Sequence, residues 1–468
     1  MPAGGTIGSG RIRKRQDGGG VSESQIKKEI PDFQQPPDVG VLRNGAFLRL
    51  WIAQLLTQIG GNVVLYGLTV LVAERSGSTS ALSLLFLSFL VPAVLLSPIS
   101  GVWVDRLDKR LVLVVANLSR AAAFFLMLGS VDSLGTVMLL NIFASLMTTL
   151  FAPAELAMIP LLVRRDQLTS ANGLFTFTLN AAFALGFALL GPAVVRIAGP
   201  EAAIVFVAGL FLIAGILCVG LPAAPPAAHA AGLRASTRES TRTTSSELMV
   251  GLRYIRANGS VLWSLTYLSI AASVVGLMGV LGPEYVANAL GLEARDFWLI
   301  VLPIGLGVVT GILALNSWGQ AISRRRLIEG GLLGVGAGLA LLALAEPISR
   351  AISDGASVLG GLPIGSGASA LATVIFVAYF AGASYGLVAI PAQTALQEEL
   401  PEEVRGRVFG VLNMLVSLGS FAPIIAVGPI ADAIGATNTL LGVGILIAVV
   451  ALLSILRGPR RSATAPHA

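Results

Sequence analysis

The sequence predicts an all-α integral membrane protein with twelve transmembrane helices, arranged as two parallel six-helix repeats. Charged residues make up only 12% of the 468 residues, hydrophobic residues make up 55%, and long apolar segments recur along the chain. An average soluble domain is about 25% charged. The composition therefore excludes a soluble enzyme and a soluble nucleic-acid-binding protein, although the net charge is +6.

Twelve apolar segments are long enough to cross a bilayer, which takes a helix of about 20 residues. A transmembrane barrel would instead require alternating strands of about ten residues, a pattern that this sequence does not contain. The predicted spans are 50–73, 80–104, 111–129, 135–162, 168–195, 202–221, 260–283, 297–318, 327–345, 367–393, 408–431 and 437–456.

The chain divides between the sixth and seventh spans into two predicted bundles, 44–221 and 260–457. The linker between them, 222–259, begins rich in proline and alanine and ends in an amphipathic stretch, Glu247–Arg256, that predicts an interfacial helix. The polar ends of the chain, 1–43 and 458–468, predict disordered tails.

Basic residues predict the orientation, because loops rich in Lys and Arg remain in the cytoplasm. The short loops hold ten such residues on one side and four on the other, so we expect both termini and the linker in the cytoplasm and a multi-pass protein of the cell (plasma or inner) membrane. The ten are Arg106, Lys109, Arg110, Arg164, Arg165, Arg324, Arg325, Arg326, Arg405 and Arg407; the four are Arg75, Arg196, Arg295 and Arg350.

The two halves share a spacing of glycine and proline residues. Matching positions lie 237 residues apart: Gly173, Gly191 and Pro192 in span five recur as Gly410, Gly428 and Pro429 in span eleven. Chance matching in a glycine-rich chain is the alternative. Two parallel repeats would allow one half to rock against the other around a site near the middle of the membrane.

The loop between spans two and three reads Gly101-Val-Trp-Val-Asp105-Arg106-Leu-Asp-Lys-Arg110. It resembles the Gly-x-x-x-Asp-Arg-x-x-Arg-Arg loop of the major facilitator superfamily, and Gly191-Pro192 in span five resembles the antiporter motif of that superfamily. Stretches in 153–172, 251–254 and 397–410 are similar to its macrolide-efflux and enterobactin-exporter-like branch among the drug:proton antiporters. The resemblance implies the major facilitator fold and proton-coupled export of an amphipathic small molecule, such as a drug or siderophore.

Asp105 and Arg110 lie at the predicted cytoplasmic rim. A carboxylate there can receive a helix N-terminus or an arginine from the other half. The partner that we expect is the start of span eleven, with Arg405 and Arg407, and such a contact would close the cytoplasmic side. Ordinary solvated loop charge is the alternative.

Polar residues within the spans predict a substrate-facing wall. In span one they are spaced four apart, which places them on one stripe of a helix. Polar groups that face lipid are costly, so the stripe faces protein or a water-filled cavity. Hydrogen bonding between helices is the alternative. The candidates are Gln54, Gln58, Asn62, Tyr66, Asn141, Ser145, Asn180, Tyr379 and Gln393.

Arg120 and Glu155 are ionisable residues about 14–15 Å from the predicted cytoplasmic rim, at 1.5 Å per residue. A lone charge at that depth is costly, so we expect the two to pair. Both are candidates for proton coupling, with Glu155 exchanging the proton. A static structural ion pair is the alternative.

We expect no cofactor and no metal, because the chain has one cysteine and its two histidines, His229 and His467, lie outside the spans. The expected partners are a small-molecule substrate, protons and the lipid bilayer, with no nucleic acid, and we expect a monomer. An importer or lipid flippase on the same fold stays open, as does a non-transporting receptor or scaffold. An enzyme is not expected, since no nucleophile–base set is evident.

Overall fold

A computed structural model describes residues 40–225, 259–318, 322–350, 366–398 and 405–457. Twelve helices in these ranges are long and apolar enough to cross a membrane, as the sequence predicts. The predicted amphipathic helix at Glu247–Arg256 lies outside the described residues.

The twelve helices are labelled α1–α12 in chain order. A π-helical segment interrupts α5, which runs as Leu168–Phe183, Ala184–Leu190 (π) and Gly191–Ala198. The others are α1 (Gly45–Ser76), α2 (Thr79–Asp105), α3 (Lys109–Leu128), α4 (Leu134–Leu162), α6 (Pro200–Val219), α7 (Gly259–Leu290), α8 (Trp298–Trp318), α9 (Arg324–Ala343), α10 (Ser366–Glu398), α11 (Arg405–Ile434) and α12 (Ala436–Arg457).

Helix ends are fixed by side chains that cap exposed backbone groups. The Asn44 side chain accepts hydrogen bonds from the backbone N–H groups of Ala46 and Phe47 at 3.1 and 3.2 Å, and it donates to the Leu162 carbonyl at 2.6 Å. Such caps satisfy backbone donors that a helix leaves unpaired at its N-terminus. The start of α1 is thereby tied to the end of α4.

The helices form two six-helix halves. Helices α1–α6 pack mainly against one another, with α6 against both α1 and α3, and α7–α12 form the second half, with α10 between α8 and α9. Contacts between the halves involve α2 with α11 and α7. At this interface the end of α11 lies beside the start of α2.

The bundle has two ends that differ in the loops they carry. The basic end carries the α2–α3 loop with Asp105 and Arg110. The opposite end carries the α1–α2 turn and the end of α11.

Candidate transport site

An aromatic contact joins the two halves at the opposite end. Tyr66 of α1 is fully buried, and its hydroxyl donates a hydrogen bond to the Arg295 backbone carbonyl at 3.0 Å. Its ring stacks on Phe297 at 6.1 Å between centroids and meets Phe187 edge-on at 5.7 Å. Tyr66, the last residue of the predicted polar stripe in span one, therefore contacts the second half at this end.

A second contact between the halves lies beside it. The Arg196 guanidinium, near the end of α5, lies 5.3 Å from the centre of the Trp298 ring, at the start of α8. This geometry is that of a cation–π interaction. Since Arg196 belongs to the first half and Trp298 to the second, the contact holds both halves together at the opposite end.

The third contact is a carboxylate from α11 at the N-terminus of α2. One oxygen of Asp432 accepts from the Thr79 backbone N–H at 2.7 Å and lies 2.5 Å from the Thr79 hydroxyl. The other accepts from the Ser78 hydroxyl at 2.9 Å and the Ser80 backbone N–H at 3.2 Å. The first half supplies all four donors, and the second half supplies the acceptor.

At the basic end, the loop from Gly101 to Arg110 is anchored within the first half. Asp108 caps α3 by accepting from the Leu111 backbone N–H at 3.3 Å, and Arg110 donates to the Leu221 carbonyl, just past α6, at 3.4 Å. The Asp105 side chain is exposed, and Arg106 is half-buried. The side chains of Arg405 and Arg407, its expected partners, lie outside the described part of the chain.

The predicted substrate-facing residues do not all share one environment. Asn141 and Ser145 join α4 to α2, donating to the Ser88 hydroxyl and the Phe89 carbonyl, each at 2.7 Å. Gln54 is buried, and its side-chain oxygen has no hydrogen-bond partner in the described part of the chain. The remaining candidates are Gln58 and Asn62 (half-buried), Tyr379 and Gln393 (exposed), and Asn180, whose side chain is not described.

The Arg120 guanidinium is buried between α3, α4 and α6. It donates to the Asn117 side-chain oxygen at 2.6 Å, to the Thr148 hydroxyl at 3.2 Å and to the Ala116 carbonyl at 3.2 Å. It also lies 4.8 Å from the Phe151 ring centre and 4.4 Å from that of Phe211. These groups, rather than a carboxylate, hold the guanidinium in place.

Glu155, one turn from Phe151 on α4, is also buried, with 5% of its surface exposed. It lies close enough to Arg120 for the two charges to interact, but the two side chains form no salt bridge. One oxygen, Oε1, has no hydrogen-bond partner among the described residues. The structure thus brings Arg120 and Glu155 near each other without the predicted ion pair and leaves this oxygen unsatisfied.

The glycine of the Gly191-Pro192 motif follows the π-helical segment of α5, where α5 crosses α1. A side chain at Gly191 would lie 2.9 Å from both the Tyr66 Cβ and the Gly186 carbonyl oxygen, closer than such atoms normally approach. Glycine is therefore required for this crossing. Mid-helix π segments are frequent at functional sites.

Comparison with known proteins identifies the family. Residues 50–423 match the family described as Major Facilitator Superfamily. The chain belongs to the major facilitator superfamily. The multidrug efflux pump Tap of Mycolicibacterium fortuitum is 22% identical over 427 residues, covering 88% of this chain and 96% of that protein.

Two further proteins resemble this major facilitator protein along most of their length. Macrolide efflux protein A of Streptococcus pyogenes is 23% identical over 427 residues, which are 87% of this chain and 94% of that protein. The crystal structure of nucleoside transporter NupG superposes with a TM-score of 0.65 at 14% identity, over 87% of this chain and 97% of that one. The predicted resemblance to the superfamily and to its efflux branch is confirmed.

One residue of the interface in this major facilitator protein, Asp432, is not predicted from the sequence. Asp432 lies three residues after Pro429, just past the predicted span eleven, and Ser78-Thr79-Ser80 leads into span two. A run of hydroxyl residues is typical of a helix N-terminus. Nothing in the sequence indicates that the cap comes from a residue 354 positions away.

Proposed function

We propose that this protein exports an amphipathic small molecule, drug-like or siderophore-like, by alternating access coupled to protons. The observation that carries the proposal is the asymmetry between the two ends of the bundle. At the opposite end, Tyr66, Arg196 and Asp432 contact the other half, whereas Asp105 at the basic end is exposed. Alternating access requires one end to close while the other opens.

The basic end is proposed to face the cytoplasm of the cell membrane. Ten of the short-loop basic residues lie on this side and four on the other. With this orientation, the arrangement described above is closed towards the outside. Export is favoured because Tap and macrolide efflux protein A, both efflux proteins by name, align over nearly the whole chain.

Glu155 is the proposed proton carrier. Its buried oxygen without a hydrogen-bond partner would be costly if the carboxylate were charged, and protonation removes much of that cost. Arg120 lies near enough to favour the charged form once the proton leaves. The alternative assignment, a static role for both residues, predicts that neutral substitutions change stability alone.

The test is expression in a bacterial strain without efflux pumps of its own, followed by a screen of toxic amphipathic compounds. For each compound to which the protein confers resistance, cellular accumulation is measured with and without an uncoupler. Export predicts lower accumulation than in cells carrying Asp105→Asn, and loss of the difference when the uncoupler is added.

The other outcomes separate the alternatives. Higher accumulation than in the control would indicate an importer. Movement of a fluorescent lipid between leaflets of proteoliposomes would indicate a flippase. Absence of flux for every compound, with the folded protein in the membrane, would favour a receptor or scaffold.

A further inference from the structure

Helices α2 and α11 each end in an aspartate, at opposite ends of the bundle. Asp105 is the last residue of α2, at the basic end. Asp432 is in the last turn of α11, at the opposite end, where it lies beside the start of α2. Because the two helices belong to different halves, the contact of Asp432 with α2 joins the halves.

In the structure, Asp432 forms hydrogen bonds with the start of α2. Its two oxygens lie 2.5–3.2 Å from two backbone N–H groups and two hydroxyls of Ser78, Thr79 and Ser80. The Thr79 hydroxyl is also 3.0 Å from the Gly428 carbonyl oxygen. A carboxylate is favoured at this position because the N-terminus of a helix carries unpaired donors and a partial positive charge.

Close backbone packing brings Asp432 to this position. One turn before it on α11, a side chain at Gly428 would lie 2.4 Å from the Ser83 hydroxyl oxygen and 2.7 Å from the Thr79 carbonyl oxygen. Only glycine leaves enough room for α11 to approach α2 this closely. The cap therefore forms only while the halves are in contact at the opposite end.

Asp432 adds to a cap that α2 already carries, and the Ser78 hydroxyl takes part in both. The Ser78 hydroxyl lies 3.4 Å from the Ala81 backbone N–H, so the first half provides a weak cap of its own. Asp432 adds charge-assisted bonds from the second half to donors that would otherwise face water. Separation of the halves at this end would break all of these bonds together.

We propose that Asp432 is a latch for the opposite end: it caps α2 from the second half while that end is closed and releases α2 when that end opens. For the basic end, the sequence predicts the contact of Asp105 with the start of α11. The proposal rests on the alternating-access function proposed above. Asp432 is a positioning residue in it, since it acts through the equilibrium between the two states. Asp432→Asn replaces one acceptor oxygen by an NH2 group that faces other donors, so it should shift that equilibrium on the order of tenfold.

The test measures the opening of the opposite end directly. Spin labels at Ile197→Cys in the first half and Asn438→Cys in the second, both exposed, report the distance between the halves by pulsed electron paramagnetic resonance in lipid nanodiscs. The buried native Cys218 is replaced by alanine. We expect Asp432→Asn to add a longer-distance population that the parent protein lacks and Asp432→Glu to restore the parent distribution.

Asp132→Asn is the matched control, because Asp132 is an exposed acid at the same end whose partner, Arg75, belongs to its own half. It should leave the distance unchanged. Asp105→Asn changes the contact predicted for the basic end, so it should not lengthen the distance.

An unchanged distance in folded Asp432→Asn would overturn the latch, as would equal lengthening in Asp132→Asn or any lengthening in Asp105→Asn. The distance measurement requires no transport, so its result is distinguishable from failure of the proposed export. Where the protein does export a compound, Asp432→Asn should reduce flux and Asp432→Glu should restore it.

Discussion

Each half of the molecule contains a buried glutamate near an arginine, and the two glutamates differ in what surrounds them. In the second half, Glu329 of α9 accepts a hydrogen bond from the Arg325 Nε at 2.8 Å and another from the Ser454 hydroxyl at 2.6 Å. In the first half, Glu155 has an oxygen without a partner, and the Arg120 guanidinium donates elsewhere. Both glutamates have the same exposed fraction, 5%.

This difference separates a structural role from a functional one. A buried carboxylate that accepts hydrogen bonds from two side chains fixes the position of its neighbours, and here Oε1 of Glu329 joins α9 to α12. An incompletely bonded carboxylate costs free energy in its charged form, so it gains from taking up a proton. Burial alone does not distinguish the two glutamates, whereas their hydrogen-bond partners do.

The largest expected effect is on transport. Glu155→Gln should abolish export driven by a pH gradient while leaving substrate exchange in the absence of a gradient intact, because glutamine fills the same space but cannot release a proton. The measurement is substrate flux into inverted vesicles, with and without an imposed gradient. Glu329→Gln is the matched control and should keep gradient-driven flux wherever the protein is folded.

If Glu155→Gln transported the substrate against the gradient as fast as the wild type, a residue other than Glu155 would carry the proton. Loss of exchange as well as gradient-driven flux would indicate that Glu155 supports the fold or the substrate rather than the proton.

A smaller effect is expected on the free energy of unfolding, and here Glu329→Gln should have a larger effect than Glu155→Gln. Glu329→Gln should lower the free energy of unfolding by about 1.5–3 kcal/mol, since it weakens hydrogen bonds made by a charged group. Glu155→Gln should change it by less than about 1 kcal/mol, because no salt bridge is lost. Thermal unfolding of the purified variants in one detergent gives the ranking. If Glu155→Gln proved the more destabilising, the contrast between the two glutamates would fail.

The smallest effect concerns the hydroxyl that bonds Oε1 of Glu329 from α12. Ser454→Ala should cost about 1 kcal/mol, the usual net value of one hydrogen bond, and leave transport unchanged. The same unfolding measurement detects it. Ser133→Ala is a suitable comparison, because that exposed hydroxyl contacts the nearby Thr136 and makes no cap bond at the start of α4, so its removal should cost less.

Some of the site could be predicted because it depends on residues close together in the chain. The loop from Gly101 to Arg110 is a local motif, and Arg120 and Glu155 were placed at matching depth by counting residues from the helix ends. The structure differs in the partners of Arg120. The sequence predicts an ion pair with Glu155, whereas Asn117, Thr148 and two aromatic rings surround the guanidinium.

Tyr66 illustrates a second limit. Its spacing from Gln54, Gln58 and Asn62 predicts a shared stripe, and the residues do follow one another along α1. The second half covers the Tyr66 end of that stripe, where Tyr66 packs on Phe297, while Gln58 and Asn62 stay half-buried. Which part of a stripe is covered depends on the arrangement of the other half.

The twelve spans, the division into two six-helix halves and the membership of a transporter superfamily could be predicted from the sequence, because apolar length and short motifs are local properties. Which polar atoms have partners depends on the fold: Glu329 and Asp432 accept hydrogen bonds, whereas Oε1 of Glu155 has no partner among the described residues. Helices that are apolar on nearly every face leave their rotation undefined in the sequence, and rotation and packing decide which distant groups meet.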